Sequence, residues 1–199
     1  MSSKIKLPTI IAITGRKRNG KDTLANLLIK KYNYVQLSYA EPIKQICKVL
    51  FGFTDEQCYG NEKEIIDKNW NIMPRSAFQF IGTELFRKQM KYLIPNIGED
   101  FWVKCLHENI KRMVKNDPNV KIVITDVRFP NELEGLKLLS KQIHINMVSV
   151  RVTRASINKD LDQHESEILI DKLDVDFDVK NDQEIKDLYE SFEKKVLEI

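Results

Sequence analysis

The sequence predicts an α/β domain in which a five-stranded, mostly parallel sheet is sandwiched between helices. Three observations predict it. Five short apolar segments have strand length: Thr9–Thr14, Tyr34–Leu37, Lys121–Thr125, Met147–Val152 and Asp176–Val179. Helical patterns separate most of them, as a parallel sheet requires, because each parallel connection must cross over the sheet. The first segment runs straight into Gly15-Arg16-Lys17-Arg18-Asn19-Gly20-Lys21-Asp22-Thr23, a glycine-framed loop that opens a helix.

Taken in order, Thr9 to Thr14 is an unbroken apolar run, the pattern of a strand covered on both faces. Lys21 to Lys31 follows with helical periodicity, and Tyr34–Leu37 is the second strand. Val120–Ile124 and Val148–Val152 are rich in β-branched residues, as buried parallel strands are. Asn131 with Glu134 three residues later has the form of a capping box, which predicts a helix over Glu132–Lys141. The last helix is expected from about Asp182 to Val196, with Ile185, Leu188, Tyr189, Phe192 and Val196 on one face.

More than eighty residues separate the second and third strands, whereas a minimal crossover needs about a dozen. The excess reads as helices over Pro42–Phe51, Thr54–Tyr59, Pro74–Leu93 and Glu99–Lys115. The expectation is therefore one domain over 1–199, with a helical insertion at 38–115 suited to a second substrate. Ligands of open α/β sheets bind at the carboxyl ends of the strands, which is where such an insertion would lie. A polar stretch without periodicity, 154–167, reads as a lid.

Composition narrows the class. The chain has 199 residues, 31% of them charged, yet a net charge of only +3, so no nucleic-acid-coating surface is indicated. No apolar stretch is long enough for a signal peptide or a bilayer span, which predicts a cytoplasmic protein without a membrane partner. Cys47, Cys58 and Cys105 lack metal-ligand spacing and read as small apolar residues in a reducing compartment. His107, His144 and His164 share no ligand spacing either.

The loop carries the chemistry. Gly15 and Gly20 let the backbone curl so that successive N–H groups point inward, and the helix N-terminus adds partial positive charge. The Lys21 ammonium would reach the β- and γ-phosphates of a nucleoside triphosphate, with Lys17 and Asn19 in the same loop. Asp22 takes the place of the usual hydroxyl and Thr23 comes one residue late. A carboxylate beside triphosphate oxygens needs a cation between them, so Asp22 is a candidate Mg²⁺ ligand; the alternative is that it caps the helix or pairs with an arginine while Thr23 supplies the hydroxyl. Asp126 ends the third strand after four mostly apolar residues, where a carboxylate can hold Mg²⁺ or its water; otherwise it caps the turn into Val127-Arg128. Arg128 shares that edge, and Arg151 and Arg154 flank the end of the fourth strand. His164 need not act as a base, because an acceptor phosphate with a second pKa of about 6 is already a nucleophile at neutral pH.

Assembled, these segments resemble the deoxynucleoside monophosphate kinases of tailed bacteriophages and related viruses. The resemblance covers Gly15–Thr23, Ser38-Tyr39-Ala40-Glu41-Pro42-Ile43-Lys44, Arg75 to Glu84 with its Gln79 and Gly82-Thr83-Glu84, Arg87, Phe101-Trp102, and Asp126-Val127-Arg128-Phe129-Pro130-Asn131-Glu132. It extends to Arg151–Arg154 and His164–Glu167. It implies a three-layer P-loop kinase fold, ATP with Mg²⁺, and transfer to a deoxynucleoside 5′-monophosphate. The expected state is a monomer or homodimer in the cytoplasm (of the host, if viral). It implies that Gly15, Lys17, Asn19, Gly20, Lys21, Asp22, Thr23 and Arg154 bind ATP, and that Asp22 and Asp126 hold the metal. Lys21, Asp126, Arg128 and Arg154 would be catalytic. Lys44, Arg75, Gln79, Thr83, Glu84, Arg87, Trp102 and Arg128 would line the acceptor site. Animal phosphomevalonate kinases share a similar G-K-D loop and A-[DE]-P-[IL]-K segment, so a kinase of another phosphorylated small molecule is the nearest alternative, followed by a silent nucleotide-binding module. A GTPase switch does not fit: no glycine has an aspartate three residues before it.

Overall fold

The computed structural model describes residues 7–155 and 169–198. The chain divides into two compact units, 1–38 with 107–199, and 39–106.

The first unit is built on a five-stranded sheet: β1 Ile10–Thr14, β2 Val35–Leu37, β3 Ile122–Ile124, β4 Met147–Thr153 and β5 Phe177–Lys180. Its order is β2-β3-β1-β4-β5, and every pairing is parallel. Each strand lies within about a residue of its sequence expectation. β1 is the central strand and all five of its residues are buried. Ile11 and Ile13 join Leu24 and Leu28 of α1 (Lys21–Tyr32) and Leu188 and Phe192 of the C-terminal helix in one core. Ile10 and Ala12 alternate to the opposite face, where α6 (Pro130–Gln142) packs along β4 with Leu136 and Leu139 buried. Helices therefore cover both faces. The chain leaves β1 toward β2 and β3, then returns past it to β4, so the sheet changes direction beside β1. That switch point is where an open α/β sheet has a crevice at its carboxyl edge.

Two helix ends differ from expectation. Helix α6 starts at Pro130, not at Glu132, so its third residue is Glu132 rather than Glu134. Proline suits the first helical position because the N–H it lacks would have no partner there. The C-terminal helix, α7, is α-helical only over Ile185–Phe192 and widens to a π turn over Glu193–Leu197. Ile185 is exposed, whereas Leu188, Phe192 and Val196 are core residues.

The second unit contains no strand among its described elements. It holds α2 Ala40–Phe51, α3 Asp55–Tyr59, α4 Pro74–Gln79 and the start of α5 (Phe101–Asn116). Thr54 caps α3 with a reciprocal Gln57 pair, donating its N–H to Gln57 Oε1 and accepting from Gln57 N–H. The sequence pattern over Pro74–Leu93 predicts one continuous α-helix. The structure instead passes from α4 into a π-helical segment, Phe80–Arg87, and then a short 3₁₀ turn, Met90–Tyr92. Gly82 sits inside the widened segment, and a Cβ there would press on Ile43 Cδ1 at 2.8 Å. Its carbonyl accepts a hydrogen bond from the Trp102 indole at 2.8 Å. Among the described residues, no helix is long and apolar enough to cross a membrane.

Candidate active site

The loop between β1 and α1 is shaped by three residues of positive φ: Gly15 (144°), Arg18 (66°) and Gly20 (102°). The two glycines are required for space as well as for conformation. A Cβ on Gly15 would overlap the Val152 carbonyl, and one on Gly20 would overlap the Asn181 side-chain amide. The loop thus lies directly against the carboxyl end of β4 and the residue after β5. Asn19, buried, donates its side-chain amide to Val152 O at 3.0 Å, and its own N–H closes a turn onto Arg16 O at 3.2 Å. Gly20 O accepts the first helical bond of α1, from Leu24 N–H. The loop thus ends at the N-terminus of α1, and the N-terminus of a helix favours phosphate through its first amides and its dipole.

Lys21 folds back over this loop. Its ammonium donates to Gly15 O at 2.6 Å and Arg16 O at 2.8 Å, which tethers the cation at the carboxyl end of β1. Arg16 itself pairs with Asp171, Nη2 to Oδ2 at 2.7 Å. Asp22 is exposed in the first turn of α1, and Thr23 is half-buried beside it. Lys17 is half-buried.

Asp126 stands two residues beyond β3, the strand next to β1. The Thr14 hydroxyl donates to Val127 O at 2.6 Å, which pins the Asp126–Arg128 segment to the start of the phosphate loop. Glu132, 4% exposed, accepts from the backbone N–H groups of Arg128 (2.8 Å) and Phe129 (3.0 Å). It satisfies the two backbone donors just before α6 and fixes the backbone that carries Arg128. Asp126 and Arg128 are both half-buried. Lys21, Asp22, Asp126 and Arg128 are thus gathered at one sheet edge of the first unit.

Arg151 and Arg154 differ sharply. Arg151 donates to both carboxylate oxygens of Asp178, at 2.6 and 3.2 Å, and to the carbonyls of Asp171 and Leu173. It is a structural tie between β4 and the segment leading into β5. Arg154 follows β4 and is exposed. Beyond Arg154 and Ala155, the stretch read as a lid, His164 included, lies outside the described residues.

In the second unit, the Lys44 ammonium sits 4.6 Å from the Tyr59 ring centre, and the Tyr59 hydroxyl donates to Glu41 at 2.7 Å. Burial and that hydrogen bond push the Tyr59 phenol up to about 12. Arg75 and Gln79 are half-buried on α4. Thr83 lies beyond the change to π geometry, so the four-residue spacing of Arg75, Gln79 and Thr83 does not place all three on one α-helical face. Thr83 is buried, and Glu84 is exposed and paired with Lys88 at 3.0 Å. Arg87, 4% exposed, pairs with Glu99 at 3.2 Å. Trp102 is buried against Phe86 and Phe101. Cys47 and Cys58 are buried free thiols, the first pushed up to about 12 by burial, and Cys105 is exposed.

No local spacing announces Asn181 or Asp171, which act on Asn19 and Arg16, far away in the chain. Glu132 stands at the end of the Asp126–Glu132 block, and its support of Arg128 runs through backbone N–H groups three and four residues before it.

A parallel sheet of this order, with a glycine-framed loop and basic helix start at its switch point, defines a phosphate-loop nucleotide-binding protein. The chain belongs to the deoxynucleotide monophosphate kinase family, whose model matches residues 9–61 and 52–192. It is 30% identical over 184 residues to a candidate deoxynucleotide monophosphate kinase of Acanthamoeba polyphaga mimivirus, covering 90% of this chain and 92% of that one. It is 26% identical over 207 residues to the deoxynucleoside-5′-monophosphate kinase of Escherichia phage T5, covering 73% and 77%. The chain is accordingly a phosphotransferase acting on deoxynucleoside monophosphates, with ATP, the donor a kinase implies.

Proposed function

We propose that the loop from Gly15 to Thr23 holds the ATP phosphates, with Lys21 on the β- and γ-phosphates, and that Arg128 and Arg154 meet the charge on the group in transfer. The observation that carries this reading is the tether of Lys21 to Gly15 and Arg16 beside the pinned Asp126–Arg128 segment. In the second unit, Lys44, Arg75 and Arg87 supply cations for the acceptor monophosphate. Gln79, Thr83 and Glu84 supply polar contacts, with Trp102 packed behind Gly82.

Asp22 and Asp126 fit Mg²⁺. Both are hard oxygen donors flanking the loop, and Mg²⁺ is commonly held by one or two carboxylates plus phosphate oxygens. No larger cluster of ligating side chains occurs among the described residues. When bound, the ion would lower the repulsion among phosphate oxygens.

The reaction needs little beyond placement. An oxygen of the acceptor phosphate, already dianionic at neutral pH, forms a bond to the γ-phosphorus. The bond from γ-phosphorus to the β–γ bridging oxygen breaks, and its electron pair leaves with ADP. No proton has to move first. Charge spreads over the equatorial oxygens, where Lys21, Arg128 and Arg154 are worth most because they are in place beforehand. Arginine suits the task, being permanently charged and able to meet phosphate with two parallel N–H groups.

Steady-state kinetics of two single variants test the division of labour. Arg128→Ala should lower kcat by two orders of magnitude or more, and Lys44→Met should raise KM for the monophosphate with KM for ATP unchanged. An Arg128→Ala enzyme with near-native kcat would remove Arg128 from the mechanism, and a Lys44→Met enzyme with native KM for the monophosphate would remove Lys44 from the acceptor site.

A further inference from the structure

We infer that Asn181 is a positioning residue for phosphoryl transfer: it sets the direction of the Gly20 amide. Asn181 is 8% exposed and follows β5, where its N–H donates to Thr153 O at 2.8 Å. That bond extends the β4–β5 pairing by one step, so the residue is fixed at the carboxyl edge of the sheet. Its side-chain amide then reaches across to the phosphate loop and donates to Asn19 O at 2.9 Å, a buried hydrogen bond between residues 162 apart in sequence.

The consequence follows from the geometry of the peptide unit. In a planar trans peptide, the carbonyl and the following N–H point in opposite directions. Holding Asn19 O on the Asn181 side therefore turns the Gly20 N–H away from it, toward the interior of the loop. The next peptide is fixed as well, because Gly20 O accepts from Leu24 N–H inside α1. Asn19 is held on its other side by its amide bond to Val152 O. Gly20 has φ 102° and no Cβ, so its own conformation leaves the plane freer than at any other residue type. The Asn181 side-chain amide fills the space where that Cβ would be. A residue with so much backbone freedom needs an external tie to present its amide in one direction, and Asn181 is that tie.

This inference rests on the reading that the Gly15–Thr23 loop holds the triphosphate. Asn181→Asp keeps the side chain's size and removes its donor, setting a carboxylate against the Asn19 carbonyl. It is expected to raise KM for ATP about tenfold and to lower kcat, with KM for the monophosphate unchanged. In the wild-type protein labelled with ¹⁵N-glycine, added ADP should shift the Gly20 amide resonance strongly. In Asn181→Asp the same resonance should start elsewhere and respond less. A lowered Tm with native KM for ATP would reduce Asn181 to a stabilising contact and overturn the inference. So would a wild-type Gly20 amide that does not respond to ADP, a result that needs no variant to fold. Lys21→Ala separates the two levels: if it weakens ATP binding while Asn181→Asp does not, only the Asn181 role falls. If Lys21→Ala leaves ATP binding intact, the loop assignment falls and this inference with it.

Discussion

The Lys21 ammonium donates to the carbonyl oxygen of Gly15, six residues earlier, at 2.6 Å. The loop thus closes on itself through Lys21, whose cation is placed by the backbone of the residue that starts the loop. Lys21→Ala should lower kcat by at least two orders of magnitude with a Tm close to wild type, because the lysine is only half-buried and its removal leaves no cavity in the core. Single-turnover kinetics with a thermal melt on the same sample check both halves.

Gly15 is under a stricter constraint. Its φ of 144° is costly for a side chain, and a Cβ would overlap the Val152 carbonyl, a backbone atom of the central sheet. Gly15→Ala should therefore destabilise the protein by at least ~2 kcal/mol and weaken ATP binding together, as denaturant unfolding and nucleotide titration would show.

If Arg128 acts as proposed, Glu132 should couple stability to catalysis. Its buried carboxylate accepts from Arg128 and Phe129 N–H. Glu132→Ala would leave both donors without their partner, at a cost of about 1–3 kcal/mol, and would loosen the backbone under Arg128. kcat should fall along with stability. Glu132→Gln, which keeps one acceptor oxygen, should recover part of both.

The Arg151–Asp178 pair predicts a pH dependence. The hydrogen bond from Arg151 holds the Asp178 carboxyl below its ordinary value. A depressed folded-state value means that the pair's contribution is present above the unfolded pKa of about 4 and is lost as pH falls through the folded value. Asp178 is half exposed, so the contribution should be no more than ~1 kcal/mol. Asp178→Asn should be less stable than wild type at pH 7, with the gap narrowing between about pH 5 and pH 3. A gap that stays constant over that range would assign the loss to something other than the ion pair.

The strands and the phosphate loop were legible because their signals are local. Ile10 to Thr14 is continuous apolar sequence in a strand buried on both faces, and Gly15 and Gly20 stand where the backbone needs them. The helix start at Pro130 was misplaced by two residues because Asn131 and Glu134 imitate a cap that the proline supersedes. The break at Phe80 was hidden for a different reason. Apolar periodicity does not distinguish an α-helix from a π segment, and the widening is tied to Gly82, Ile43 and Trp102, the last of them twenty residues further on. At the site, the cations and carboxylates were visible by type and position, whereas their supports were not. Asn181 acts on Asn19, Asp171 on Arg16 and Thr14 on Val127, all across long stretches of chain.

The central claim is tested most directly by following ADP release with ATP and Mg²⁺ against dTMP, dGMP, dCMP, dAMP, their ribose counterparts and mevalonate 5-phosphate. The account predicts turnover with at least one deoxynucleoside monophosphate, abolished by chelation of Mg²⁺ and by Lys21→Ala. Turnover with mevalonate 5-phosphate alone, or ATP binding with no turnover across the whole panel, would contradict it.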